Sequence, residues 1–552
     1  MEKIKEKNSK LKPNMEDYEE VRKRFNWEKV KEKFKLKGSF NPVLYIIEHS
    51  IKDKKALIWV NSEAHERSYT YGELIRYGIR TSNLLKQWVR KGDRVIIFSR
   101  KVPEIYFSML GATLLGAVIV PVFPSFSSEA LKYRFEDSGA KLIITHGELK
   151  EKVKKAINGR AEILEAEILS DLIKSSSEDL ESEVTQAEDP WFIIYTSGST
   201  GKPKGIVQSL NTSSLFYISG LYHFDLHEED VFWPTGDPGW VAGFAAVWTA
   251  WIRGVTLLAL DSRFSADTWL SLIEKYKVSV WSTAPTALRL MKRLSKSTFS
   301  KYDFSSLRFI HAGGEYVGPD LVYWTKEVFK LPLHEAYGQS ETSTYVICNF
   351  VSLPIKPGSM GKPLPGIEAL VVDSEGNQLP PNAKGILAFK PGFPGLLSGV
   401  WGNEDKFKSY FKKGFYLTGD MALMDEEGYF WYLGRMDDVI KVSGYRIGSA
   451  ELEAVIGNHP KVAEVAVIGV PDEQRGNEIK AFIVLKEGVE RDEEMKEEIR
   501  KWVREKLASH AVPKYIEFVD SLPHTMSGKI MRRLLRAKEL NQNPGDLSTL
   551  ET

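Results

Sequence analysis

The chain has 552 residues, 43% of them hydrophobic, with 75 basic against 74 acidic side chains and a formal net charge of +1. That length holds more than one domain, that composition excludes a disordered chain, and that charge gives no reason to invoke nucleic acid or an anionic membrane. The single cysteine, Cys348, excludes an intramolecular disulfide and a cysteine zinc site, reads as an inert filler, and fits a reducing cytoplasm.

The first 36 residues are dense in Lys and Glu, show no apolar core and are not a secretory signal. The run 94–98, Arg-Val-Ile-Ile-Phe, reads as a buried strand. Residues 105–126 carry no charge, but Gly111, Gly116 and Pro121 interrupt them. They are expected to form a buried helix over 104–116 and a strand over 117–122, with no membrane span. A helix over 128–137 and a strand over 141–145 follow, and 150–188 is expected as helix and loop. Trp191-Phe-Ile-Ile-Tyr195 is a further strand. Beyond it strands are expected at 230–233, 255–260, 278–282 and 307–311, with helices at 239–253, 266–276 and 285–294.

Such alternation implies parallel-type sheets covered by helices, with ligands beyond the C-terminal strand ends. After about Val351 the strands shorten and look antiparallel, as at 368–373 and 385–390, which predicts a small β-rich subdomain. The fold class is therefore α/β, with a large N-terminal domain over 1–434 and a small, mobile α+β domain over 435–552.

Five runs carry chemistry. Tyr195-Thr-Ser-Gly-Ser-Thr-Gly-Lys-Pro-Lys-Gly205 joins glycines, whose backbone N–H groups can form an anion nest, to hydroxyls and lysines that complete a phosphate cradle. It is not the common P-loop: Gly198 and Gly201 stand too close, and Pro203 follows Lys202. In Tyr337-Gly-Gln-Ser-Glu-Thr342, a carboxylate beside hydroxyls suits magnesium shared with substrate phosphates. In Tyr416-Leu-Thr-Gly-Asp420, the aspartate is placed to accept from ribose hydroxyls or to close an Asx turn. Gly434-Arg-Met-Asp-Asp-Val-Ile440 and Pro523-His-Thr-Met-Ser-Gly-Lys529 complete the set.

In this order the five runs resemble the motifs of the adenylate-forming superfamily: acyl-CoA synthetases, luciferases and nonribosomal adenylation domains. The resemblance implies ATP, Mg2+ and coenzyme A as cofactors. Thr196, Ser197, Gly198, Ser199, Thr200, Gly201 and Lys204 would close on the ATP phosphates. Gly314, Glu315 and Tyr316 would line the adenine and Tyr337 stack on it, within a nucleotide-binding run of Glu335, Ala336, Tyr337, Gly338, Gln339 and Ser340. Glu341 would hold the metal, Asp420 the ribose with help from Arg435, and Lys529 would act in the first half-reaction. Asp437 matches the hinge, Ser443, Gly444 and Arg446 the segment of the second half-reaction, and Arg504 a contact to the CoA phosphate.

Lys441-Val-Ser-Gly-Tyr-Arg446 and Ser527-Gly-Lys-Ile-Met-Arg-Arg533 are similar to acetyl- and medium-chain acyl-CoA synthetases, and the end at Thr552 leaves no room for a carrier domain. Acetyl-specific relatives carry tryptophan where Gly338 stands and larger residues at Ala242 and Gly313. The small residues, with Trp240 and Val241 as wall, predict an open pocket and an acid of four carbons or more, 4-hydroxybutyrate included. Another side chain refilling the space would return the preference to acetate or propionate. The lysine context resembles one modified by acetyltransferases, which makes Lys529 a candidate for acetylation. A carrier-loading adenylating enzyme and a non-catalytic ATP sensor stand as alternatives; Lys529 and Glu341 argue against the sensor. Oligomeric state is left open. Lysine and glutamate use hints at a thermophile.

Overall fold

A computed structural model describes residues 4, 11–196, 202–438, 440–442, 445–472, 476–525, 529–544, 547 and 550. Two large sheets form the body. The first has seven strands, in the spatial order Gly399–Val400, Lys204–Ser209, Pro190–Thr196, Val118–Pro121, Arg94–Phe98, Leu142–Thr145 and Glu162–Glu165. Its last five strands run parallel, and Lys204–Ser209 returns antiparallel beside Pro190–Thr196. The second has nine strands, with a parallel centre from Leu333–Gly338 through Phe309–Gly313, Val280–Thr283, Val231–Pro234 and Thr256–Asp261 to Lys55–Asn61. Both its edges are antiparallel.

Two helices lie between the sheets and are buried nearly all round. Pro103–Leu114 starts with proline, whose missing N–H costs nothing in the first turn, and every residue of it is buried. Val241–Ile252 touches both sheets. The Trp248 ring packs 4.8 Å from Trp191 of the first sheet, and Trp251 Nε1 donates to the Ala56 carbonyl of the second at 3.3 Å. An all-apolar helix is stable only where both faces meet protein, so these helices lock the two sheets into one core.

The remaining strands form two antiparallel assemblies. Ala369–Val372, Gly385–Phe389, Phe415–Met424, Phe411–Lys412 and Phe430–Arg435 make the small β-rich sheet. Beyond it Ile440–Val442, Tyr445–Ile447, Val462–Asp472, Gly476–Leu485 and Tyr515–Phe518 form a sheet with its own core, covered by helices Ser449–Gly457 and Glu493–Lys506. The small unit is thus α+β.

Two expectations need correction. The N-terminal extension is built into the body: Tyr18, Val30 and Phe34 are buried, Tyr18 Oη donates to Pro363 O at 2.8 Å, and Trp27 Nε1 to Gly366 O at 2.8 Å. Isolated aromatics among charges leave no periodic signal, yet each buries a large area. Region 150–188 contains the edge strand Glu162–Glu165 between helices Lys150–Ile157 and Ala166–Ser175. Its half-charged sequence reads as loop because an edge strand buries little. Among the described residues no helix is long and apolar enough to cross a membrane. Cys348 is buried, and desolvation holds its thiol protonated.

Candidate active site

The C-terminal ends of three strands and one hairpin meet in a single cleft. Pro190–Thr196 comes from the first sheet, Phe309–Gly313 and Leu333–Gly338 from the second, and Phe415–Met424 with Phe430–Arg435 from the third. Thr196 stands opposite Lys204, so the glycine-rich run caps a hairpin of two paired strands. Ser197, Gly198, Ser199, Thr200 and Gly201 lie outside the described residues.

Asp420 anchors the cleft. Tyr337 Oη donates to its Oδ2 at 2.6 Å and Gln339 Nε2 donates to the same oxygen at 2.7 Å. Tyr416 Oη fixes the Gln339 amide from the other side, donating to Oε1 at 2.9 Å. Asp420 Oδ1 is buried and accepts no hydrogen bond; its nearest cation is Arg435 Nε at 3.4 Å, delivered by the directly opposed strand. A buried carboxylate oxygen without a donor is costly, and the vacancy fits a ligand hydroxyl. Burial raises the Asp420 pKa, while Arg435, the two hydrogen bonds and Lys529 pull it down.

Three other carboxylates, Glu341, Glu315 and Glu335, stand on strands of the second sheet or just beyond their ends. Glu341 opens a short 3-10 turn, Ser340–Thr342, after the Gly338 strand end. Its Oε1 accepts from Tyr410 Oη at 3.2 Å, and Gln208 Nε2 donates to the Ser340 carbonyl at 3.1 Å, tying the turn to the first sheet. Desolvation raises the Glu341 pKa against that bond and Arg435. Glu315 follows the strand end at Gly314, whose φ is +86°, and accepts from Thr286 Oγ1 at 2.8 Å and Arg289 at 3.1 Å. Tyr316, beside it, gives its carbonyl to Arg289. Glu335 is buried, with Oε2 unpartnered; burial pushes its carboxyl up to about 8, against the Val317 N–H and Arg289. Ala336 follows it in the same strand.

Lys529 belongs to the small domain but lies in the electrostatic field of Glu315, Arg435 and Asp420. The crowding of protein around it lowers its pKa by desolvation, offset by the two carboxylates. By surface area the Lys529 side chain is exposed. Asp437 lies in the turn Met436–Asp438, between the third sheet and the small domain, with its side chain outside the described residues. Ser443 and Gly444 lie outside them too, and Arg446 is described only as part of the strand Tyr445–Ile447. Arg504 is exposed on helix Glu493–Lys506, with no contact leading to the cleft.

Two of the small residues expected to open the acyl pocket, Gly313 and Gly338, sit close to their neighbours. Trp240 caps helix Val241–Ile252 and packs on Phe123 and Phe126 at 5.4 and 5.5 Å; Val241 is half-buried and Ala242 exposed. A Cβ at Gly313 would lie 2.6 Å from Tyr345 Cε1, and one at Gly338 would lie 2.2 Å from the Thr344 carbonyl oxygen. Both glycines are therefore close-approach positions. The Tyr345 ring and the Thr344 backbone lie in the directions that a side chain would take at Gly313 and Gly338. Tyr345, Tyr410, Gln208 and Arg289 carry no local motif; they reach the cleft only through strand pairing and helix packing.

Models of two families match the chain: the AMP-binding enzyme over residues 48–401 and the AMP-binding enzyme C-terminal domain over residues 451–529. The chain is 42% identical to the acetyl-coenzyme A synthetase of Bacillus subtilis over 98% of both chains. It is 38% identical to that of Pyrobaculum aerophilum, over 91% of this chain and 82% of the relative. Among solved structures, an acyl-CoA synthetase of Brucella canis is 30% identical with a TM-score of 0.75, covering 96% of this chain and 99% of its own. An anthranilate CoA ligase in complex with anthranoyl-AMP is 28% identical with a TM-score of 0.83, covering 92% and 99%. The chain thus belongs to the AMP-binding enzyme family and is an AMP-forming acyl-CoA synthetase.

Proposed function

We propose that the protein joins a short acid, acetate or propionate, to coenzyme A at the expense of ATP, releasing AMP and pyrophosphate through an acyl-adenylate. The carrying observation is the 42% identity to an acetyl-coenzyme A synthetase over 98% of both chains, and the close approaches at Gly313 and Gly338 are consistent with a small acyl site. The acetyl-coenzyme A synthetase relatives support the same acid. On this reading the preference for four carbons or more, 4-hydroxybutyrate included, is set aside.

The residues fit their parts. Asp420 Oδ1 accepts from a ribose hydroxyl, Glu335 Oε2 faces the adenine edge, and Thr196, Lys204 and the loop between them take the phosphates. The attack sets a carboxylate against the α-phosphate, so charge neutralisation and positioning dominate and no general base is needed. Lys529 brings its ammonium to that point from the small domain. No cluster of three or more His, Cys, Asp or Glu stands among the described residues. One carboxylate, Glu341, beside substrate phosphates is a donor set that suits magnesium, which keeps its waters and shares phosphate oxygens. Glu341 would hold it, and it would supply charge neutralisation.

After adenylation, the small domain, beginning at Arg435, turns about Asp437. That withdraws Lys529 and brings Ser443, Gly444 and Arg446 to the thioester step, with Arg504 toward the CoA phosphate. An exposed Lys529 on a loop also suits an acetyltransferase, whose product would stop adenylation; mass spectrometry of protein from several growth conditions would find the mark or remove the idea.

The test is AMP release with ATP, magnesium and CoA across acids from acetate to dodecanoate plus 4-hydroxybutyrate. The highest kcat/KM is expected at acetate or propionate. An optimum at four to eight carbons would overturn the short-acid assignment. Turnover only with a carrier protein would replace the reading with a carrier-loading one.

A further inference from the structure

Two ammonium groups meet beside the stem of the phosphate loop, and sequence motifs account for only one. Lys204 opens the return strand opposite Thr196. Lys406 stands on helix Glu404–Ser409, where its N–H donates to the Asn403 cap at 2.9 Å. The segment is bolted to Lys204's own strand: Gly399 and Val400 pair with Val207 and Ile206, and Trp401 N–H donates to the Gly205 carbonyl at 2.8 Å. The half-buried Lys406 side chain lies over Tyr410, with Nζ 4.8 Å from the ring centroid, and the Tyr410 hydroxyl donates to Glu341. Lys406 is the charge that acts most strongly on Lys204, ahead of Glu341 and Arg435.

Neither ammonium has a carboxylate within ion-pair distance among the described residues. Two residues on, Lys408 is exposed and pairs with Glu404 at 2.7 Å, as an ordinary surface lysine does. Like charges held together repel unless an anion joins them, and a polyphosphate offers oxygens to both. The cation–π contact with Tyr410 holds the Lys406 ammonium without an oxygen acceptor, so its hydrogens can serve a ligand.

We propose that Lys406 is a second phosphate-binding lysine, gripping with Lys204 the β- and γ-phosphates of ATP and the pyrophosphate that leaves. This rests on the reading that ATP binds in this cleft. Calorimetric titrations of the purified enzyme with ATP, inorganic pyrophosphate and AMP, each with magnesium, test it. In Lys406→Ala, ATP and pyrophosphate should bind about tenfold more weakly or worse, the scale of one charged hydrogen bond, with AMP within about twofold of wild type. Lys406→Arg should recover most of the loss. Lys406→Gln, which keeps the stem over Tyr410, should behave as the alanine variant and covers the case in which alanine unfolds the helix. Unchanged pyrophosphate binding in the alanine and glutamine variants would overturn the proposal. So would an equal loss for AMP, which has no β- or γ-phosphate. Wild-type enzyme that binds neither ATP nor AMP would instead overturn the nucleotide site itself, and this proposal with it.

Discussion

Tyr345 stands against Gly313 and is the side chain we propose as the limit of the acyl site. Its ring occupies the Gly313 Cβ direction and packs on His223 and His311, with centroids 5.5 and 4.6 Å away. Tyr345→Ala should open the acyl site: each added methylene gains about 0.8 kcal/mol on burial, or about fourfold in kcat/KM, so preference should move from acetate toward butyrate. An unchanged acid profile in a folded variant would remove Tyr345 as the limit. The histidines behind it predict an acid weakness. Burial and neighbouring histidines push His311 down to about 3; burial also takes His334 to about 3 and His223 well below its usual 6.5. The unfolded chain takes up these protons from about pH 6.5 downward and the folded chain does not. Their stabilisation is therefore complete above about 6.5 and is lost as pH falls toward 3, by about 1.4 kcal/mol per unit for each histidine. Glu335, raised to about 8, acts with opposite sign between its ordinary value of 4.5 and 8. His223 has both ring nitrogens unpartnered among aromatic neighbours. His223→Phe should hold stability at pH 7 and lose less of it at pH 5 than wild type in urea denaturation; parallel losses would refute the account.

Helix Ser128–Ser138 was legible as a helix, but its task was not. Tyr133 and Asp137, one turn apart on one face, grip the two stems of the phosphate hairpin. Tyr133 Oη donates to the Pro203 carbonyl at 2.9 Å, and Asp137 Oδ2 accepts from Tyr195 Oη at 2.6 Å. Asp137's carbonyl also accepts from Trp401 Nε1 at 3.0 Å. Tyr133→Phe removes one such tie, worth about 1 kcal/mol, and should raise the KM for ATP about fivefold with the acid's KM unchanged. Equal change in both constants would point to general damage instead. Arg94–Phe98 was read to the residue because a fully buried parallel strand is a continuous apolar run. Asp420, Glu341 and Lys529 could be singled out as candidates because they stand in short runs with glycine turns and hydroxyls. Tyr345 and Tyr410 could not, because they stand outside those runs and nothing local marks them.

The two domains meet through contacts that a rotation can break. Lys384–Glu451 at 3.0 Å and Arg293–Glu464 at 3.3 Å span the junction, each a partly exposed pair worth little. The tight point is Gly448, before helix Ser449–Gly457 of the small domain: a Cβ there would fall 2.0 Å from the Leu433 carbonyl oxygen of the third sheet. No side chain fits that approach without moving backbone. Leu433 precedes the proposed pivot at Asp437 and Gly448 follows it, so the rotation proposed there would separate them and relieve the clash. Gly448→Ala should therefore slow adenylation, measured by ATP–pyrophosphate exchange, by about tenfold or more, as befits a clash of more than about 1.4 kcal/mol. Thioester formation from supplied acyl-adenylate should stay near wild type. Lys529→Ala should show the same split through lost charge rather than lost geometry, and Asp437→Pro the opposite split, by stiffening the pivot. Equal slowing of both half-reactions in Gly448→Ala would mean that the contact at Leu433 persists through the cycle, and the rotation would have to be placed elsewhere in the chain.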